Sequence, residues 1–186
     1  MRPMFLLCCL AASSTSAAEM EATLQYQHYD AHAASGRTLA EILNGSSPFR
    51  PGNQVFHSAT RWNVDWKIRP QSGSDGRCRV TQVATHLTGE IKLPRLLDAD
   101  APMQEQFSGY LRALRVHELG HYEIGKEAAR EVDAKLQALP DMANCAALES
   151  AARDLGARVL GEYEALGESY DVKTSHGKTQ GAWLGN

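Results

Sequence analysis

The stretch His117-Glu118-Leu119-Gly120-His121 decides how this 186-residue chain is read. Two imidazoles four residues apart, with a carboxylate beside the first, form the H-E-x-x-H pattern of zinc hydrolases, which works only on a helix. At about 100° per residue His121 sits only about 40° round the axis from His117, so both rings reach one ion at the roughly 2.0–2.1 Å of a zinc–nitrogen bond. Glu118 then flanks the ion, where its carboxylate can take a proton from a water whose pKa the metal lowers to about 7. The chemistry this predicts is metal-assisted hydrolysis.

The flanking residues supply the helix, from about Pro102 to Leu139. Phe107, Leu111, Leu114, Glu118, His121, Gly125, Ala128, Val132 and Leu136 recur at spacings of three or four, which puts the histidines on or beside a buried stripe. Asp100 and Pro102 suit the first turn and Pro140 stops the run, while Glu123 with Lys126, Glu127 with Arg130 and Glu131 with Lys135 pair along the wet side. A second amphipathic helix is predicted over about Met142 to Leu166, with Cys145, Leu148, Ala152, Leu155, Val159 and Tyr163 on one stripe. Gly167 is expected to end it, and the chain to return as a loop from Tyr170 to Gly177.

The half before the motif reads as extended. Thr23 to Tyr29 is a first strand, and Thr38-Leu39-Ala40-Glu41 is a capping box opening a short helix that ends at Gly45. Trp62, Val64, Trp66 and Ile68 alternate with Arg61, Asn63, Asp65 and Lys67, so one face of that strand is buried and both tryptophans are core. Ser72 to Gly76 is a turn, and Cys78 to Leu93 a further extended segment with a phase change near Gln82 and Val83 that predicts a bulge. The expected architecture is α+β: a small, mainly antiparallel sheet covering the long metal-binding helix, with the second helix behind it. Val83 to Leu93 is the expected exposed edge for an extended substrate.

A catalytic zinc takes three protein ligands and keeps a fourth position open. The extended metzincin motif would place a glycine at 124 and a histidine at 127, where this chain has Ile124 and Glu127. The remaining histidines are His28, His32, His57 and His86 in the extended half and His176 in the tail. His176 is the favoured third ligand and Asp171 the alternative. Tyr170 would then lie close enough either to donate to an oxyanion or simply to pack.

Arg2, the apolar run Met4 to Ala12 and the small residues Ser16-Ala17-Ala18 read as a signal peptide cleaved after Ala18, giving a secreted or periplasmic protein with one domain over 19–186. The run is about half the ~20 residues of a membrane span, and lipid anchoring at Cys8 or Cys9 is the weaker reading. Cleavage leaves Cys78 and Cys145 as an even pair, expected to form a disulfide. The net charge is −3, and no Lys/Arg run points to nucleic acid or an anionic membrane as partner. A protein or peptide substrate remains.

The H-E-x-G-H helix together with the tail Tyr170-Asp171-x-x-Thr174-x-His176-Gly177-x-x-Gln180-Gly181-Ala182 resembles a family of predicted secreted bacterial zinc-dependent proteases, zincin-like and catalogued mainly as a domain of unknown function. The resemblance extends to the strand Arg61-Trp62-Asn63-Val64-Asp65-Trp66, to Cys78 and to Cys145. It implies a zincin-like peptidase with His117 and His121 as ligands, Glu118 as base and His176 as third ligand. Two other readings stand beside it: a zinc-bound domain without turnover that binds a cell-envelope component, and a hydrolase of a peptidoglycan amide. Glu118 weighs against the first, because a purely structural site closes its fourth position with Cys or His and needs no base.

Overall fold

The computed structural model describes residues 20–185, so the expected signal peptide lies outside the described residues. The elements in chain order are β1 (Glu21–His32), α1 (Leu39–Ser46), β2 (Ala59–Ser72), β3 (Cys78–Leu97), α2 (Ala101–Gln137) and α3 (Cys145–Thr174), followed by a 3-10 turn at Lys178–Gln180. The fold is α+β. Thr38 and Glu41 form the capping box of α1, each side chain accepting the other's backbone N–H.

The sheet is mixed and has the order β1-β3-β2. β2 and β3 are an antiparallel hairpin closed by the Ser72–Gly76 turn, and the register slips between Arg69 and Pro70, which leaves Thr81 as the extra residue beside the expected phase change. β1 lies parallel to β3, so the sheet is not mainly antiparallel as its sequence suggests. A hairpin is the only pairing that short turns reveal; β1 reaches β3 only after the chain has passed through α1 and β2. The same topology makes β3 the central strand. Val83 to Leu93 is therefore not an edge: from His86 to Lys92 both of its sides are paired, and Val83, Leu87, Ile91 and Leu93 are buried.

α2 is capped by Asp100, whose carboxylate accepts from the Met103 N–H. Its buried stripe runs from Phe107 through Leu114, His117, Glu118 and Tyr122 to Val132 and Leu136, and all three expected ion pairs form on its outer side. Trp62 and Trp66 point from β2 into the helical layer, where Gly125 of α2 and Gly156 of α3 leave room for them; a Cβ at either glycine would fall within 2.7 Å and 2.3 Å of the indole carbons. The tryptophans are thus core.

α3 outruns its predicted end by eight residues, from Leu166 to Thr174. Gly167 does not stop it: against the roughly 1 kcal/mol that glycine costs a helix stand the contacts of the turn that follows, Tyr170 stacked on the His117 ring and Asp171 on His121. The helix ends instead where Ser175, His176 and Gly177 take left-handed φ values of 51°, 51° and 81° in succession. Tyr170 and Asp171 consequently sit on a helix, not in a returning loop. Cys78, at the start of β3, is bonded to Cys145, the first residue of α3.

Candidate metal centre

Three elements converge on the middle of α2: the last turns of α3, the 3-10 turn after it, and the first residues of β2 with the loop before them. A cleft of about 560 Å³ opens at their junction, lined by His117, Glu118, His121, Asp171 and His176 among others. Asp171 Oδ1 lies 3.1 Å from His117 Nε2 and 3.0 Å from His121 Nε2, and the two imidazoles stand perpendicular with centroids 4.9 Å apart. Among the described residues this is the grouping of ligand atoms close enough to share a metal ion. His176 Nδ1 is 3.6 Å from the same Asp171 oxygen, on a ring that is 44% exposed and rests against Phe56.

Glu118 is buried, yet it lines the cleft. Ser58 Oγ donates to its Oε1 and Thr60 Oγ1 to its Oε2, both at 2.6 Å. Each carboxylate oxygen keeps a further lone pair for a molecule in the cleft. The two hydroxyls hold the carboxylate in one orientation, and hydrogen bonds to an ionised acceptor are the stronger kind.

Behind the two histidines, Tyr170 stacks on the His117 ring at 5.2 Å and 10° and meets the His121 ring edge-on at 5.0 Å. Its hydroxyl donates to the His117 carbonyl, 3.2 Å away, across the backbone of Gly120. Only glycine fits there, since a Cβ would lie 2.1 Å from the Tyr170 oxygen. Gln180 completes the arrangement, its Nε2 donating to Tyr170 Oη at 2.9 Å and its Oε1 lying 3.0 Å from His117 Nδ1.

On the opposite wall His57 lies between Tyr110 Oη, at 2.8 Å, and Asn44 Oδ1, at 3.0 Å. Burial pushes its pKa down from 6.5 to about 4, so the cleft carries a neutral imidazole on that side, and burial likewise raises Tyr110. Lys178 also lines the cleft and lies over the Trp183 ring.

Residues 26–177 match the family model described as a bacterial protein of unknown function, DUF922. The chain belongs to this family. No curated protein and no solved structure matches it. The family match spans the H-E-x-x-H helix, both cysteines, Asp171 and His176, and stops just short of Gln180.

Of the residues singled out in the sequence, the structure brings together His117, Glu118, His121 and Asp171, with His176 beside Asp171 but outside the group of donor atoms close enough to share an ion. Tyr170 is placed behind His117, is not among the cleft-lining residues, and has its hydroxyl occupied. His28, His32 and His86 lie on the strands β1 and β3; His32 pairs with Asp98 and His86 with Glu21. The sequence assigns no role to Ser58, Thr60 or Gln180, although Gln180 stands in the tail motif. For the first two a signal was present: they alternate in phase with Trp62, Val64 and Trp66, which places them on the helix-facing side of β2. No strand or helix periodicity marks Gln180, the last residue of the 3-10 turn.

Proposed function

We propose that this chain is a secreted or periplasmic zinc-dependent peptidase whose ion is held by His117, His121 and Asp171. The carrying observation is that Asp171 Oδ1 stands 3.0–3.1 Å from both histidine Nε2 atoms with the Glu118 carboxylate adjoining. Donor atoms placed tetrahedrally at roughly 2.0–2.1 Å around one ion are about 3.4 Å from each other, so the two separations from Asp171 Oδ1 are within a few tenths of an ångström of those in a zinc shell. Two neutral imidazoles and a carboxylate are also a fitting donor chemistry for that ion.

When bound, zinc would supply the positive charge that lowers the pKa of water and polarises a carbonyl. The chain supplies the rest. Glu118, held by Ser58 and Thr60, takes the proton of the attacking water on a carboxylate oxygen and returns it to the departing amine nitrogen. The substrate is an extended peptide. Its backbone would pair with the free side of β2, the edge strand whose first residues Ala59 and Thr60 line the cleft. The Cys78–Cys145 disulfide is compatible with an oxidising compartment.

Metal analysis of the purified protein, with hydrolysis of an unbiased peptide library and of peptidoglycan cross-link peptides by wild type and Glu118→Gln, tests this reading. One zinc per chain and peptide cleavage that the substitution abolishes are expected. Absence of zinc, or cleavage undiminished by Glu118→Gln, would overturn it. Cleavage confined to the cross-link peptides would reassign the substrate to a peptidoglycan amide.

A further inference from the structure

We infer that Gln180 is the positioning residue that fixes His117 as its Nδ1–H tautomer and so leaves the Nε2 lone pair free beside Asp171. This rests on the metal-site reading above.

The Tyr170 hydroxyl has one proton, and its acceptor is the His117 carbonyl oxygen. That oxygen can only accept, so the hydroxyl is the donor there. Tyr170 Oη must then accept from Gln180, which assigns the amide: its NH₂ faces Tyr170 and its carbonyl oxygen faces His117 Nδ1 at 3.0 Å. An amide oxygen only accepts, so Nδ1 carries the hydrogen. The second neighbour of Nδ1 agrees. Thr174 Oγ1, 3.5 Å away, commits its own proton to the Tyr170 carbonyl at 2.8 Å and so can only accept from the ring.

The consequence falls on the other side of the imidazole. With Nδ1 protonated, neutral His117 presents a bare lone pair at Nε2, 3.1 Å from a carboxylate oxygen. Two acceptors that close suit a cation bound to both and lying off the line that joins them. A ligating histidine ordinarily donates its second nitrogen to an acceptor of this kind, and losing that partner costs about 10- to 100-fold in metal affinity. The acceptor comes from the 3-10 turn that follows α3, so the same stretch of chain supplies both Asp171 and the residue that orients its partner ligand.

The test uses full-length protein, wild type and the variants Gln180→Leu and Gln180→Glu. Leucine keeps the bulk and removes the acceptor; glutamate restores an acceptor to Nδ1. In wild type without metal, nitrogen-15 imidazole shifts are expected to show His117 with the hydrogen on Nδ1. Zinc affinity measured by chelator competition is expected to fall about 10- to 100-fold in Gln180→Leu and to return to within a few-fold of wild type in Gln180→Glu. Hydrogen on Nε2 in the metal-free wild type, unchanged affinity in Gln180→Leu, or equal losses in the two variants would overturn the inference. Should Gln180→Leu fail to fold, the wild-type tautomer and the Gln180→Glu affinity still decide. A wild type that takes up no zinc would count against the metal-site reading, while the imidazole spectrum would judge the assignment of Gln180 independently.

Discussion

Glu118 is buried, its carboxylate shielded from bulk water, yet it borders the cleft, the placement the proposed general base requires. Glu118→Gln preserves its shape and removes its basicity. Hydrolysis should fall by at least the roughly 10²- to 10⁴-fold that general-base catalysis contributes, with zinc content unchanged by metal analysis. The third ligand is separable in the same way. Asp171→Ala should weaken zinc binding as much as His117→Ala does, whereas His176→Ala should weaken it far less, by competition against a chelator. His57 gives a pH prediction. Its pKa falls from 6.5 to about 4 on folding, so the unfolded chain takes up the proton first; its contribution is intact above pH 6.5 and is lost as the pH falls from there toward 4. Urea titrations of the metal-free protein should show that loss, and it should be smaller in His57→Gln.

At the scale of elements, the central position of β3 reverses what an edge strand would have implied. Each N–H of a central strand points to one of two partners, so proline at Thr88, which faces Thr23 of β1 and Asn63 of β2, must delete a ladder hydrogen bond. Thr88→Pro should therefore lower the urea midpoint of the whole protein, where Thr88→Ala should leave it nearly unchanged. What could be read from the sequence here was whatever repeats locally. The helical spacing placed His117, Glu118 and His121 on α2, period-2 alternation oriented Trp62 and Trp66, and turn residues marked the hairpin. Strand order was not legible, since nothing in Thr23 to Tyr29 records which strand it will meet. The length of α3 was hidden for a related reason: Gly167 is a helix-stop signal on its own, and the contacts of Tyr170 and Asp171 with the α2 histidines, distant in sequence, hold the turn beyond it. Asp171 was thus named as an alternative ligand, but from a loop that does not exist.

For the molecule as a whole, the disulfide ties the start of β3 to the start of α3, 67 positions apart in sequence. On the chain-entropy estimate a closed loop of that size is worth on the order of 4 kcal/mol. The Cys78→Ser/Cys145→Ser double variant should lose about that much stability in denaturant unfolding, and the unfolded, unreduced wild type should react with no thiol reagent. Two thiols labelled per mature chain would contradict the bond.

The parallel pairing of β1 has a consequence in time. Every residue from Glu21 to His32 is matched with one 65 positions later, Glu21 with His86 and His32 with Leu97, so the strand has no local partner at all. Closing a loop of that size before any reward arrives slows folding, as it does wherever distant pairings dominate. The β2–β3 hairpin suffers no such delay. A ribosome adding about 5–20 residues per second spends roughly 3 to 13 seconds between making a residue of β1 and making its counterpart. Through that interval the earliest strand to be synthesised stays unmatched, and afterwards the far side of β3 stays open until β1 docks. An open strand edge is a template for any other extended chain nearby. The emerging polypeptide is therefore most vulnerable to mispairing at β1 and along the open side of β3.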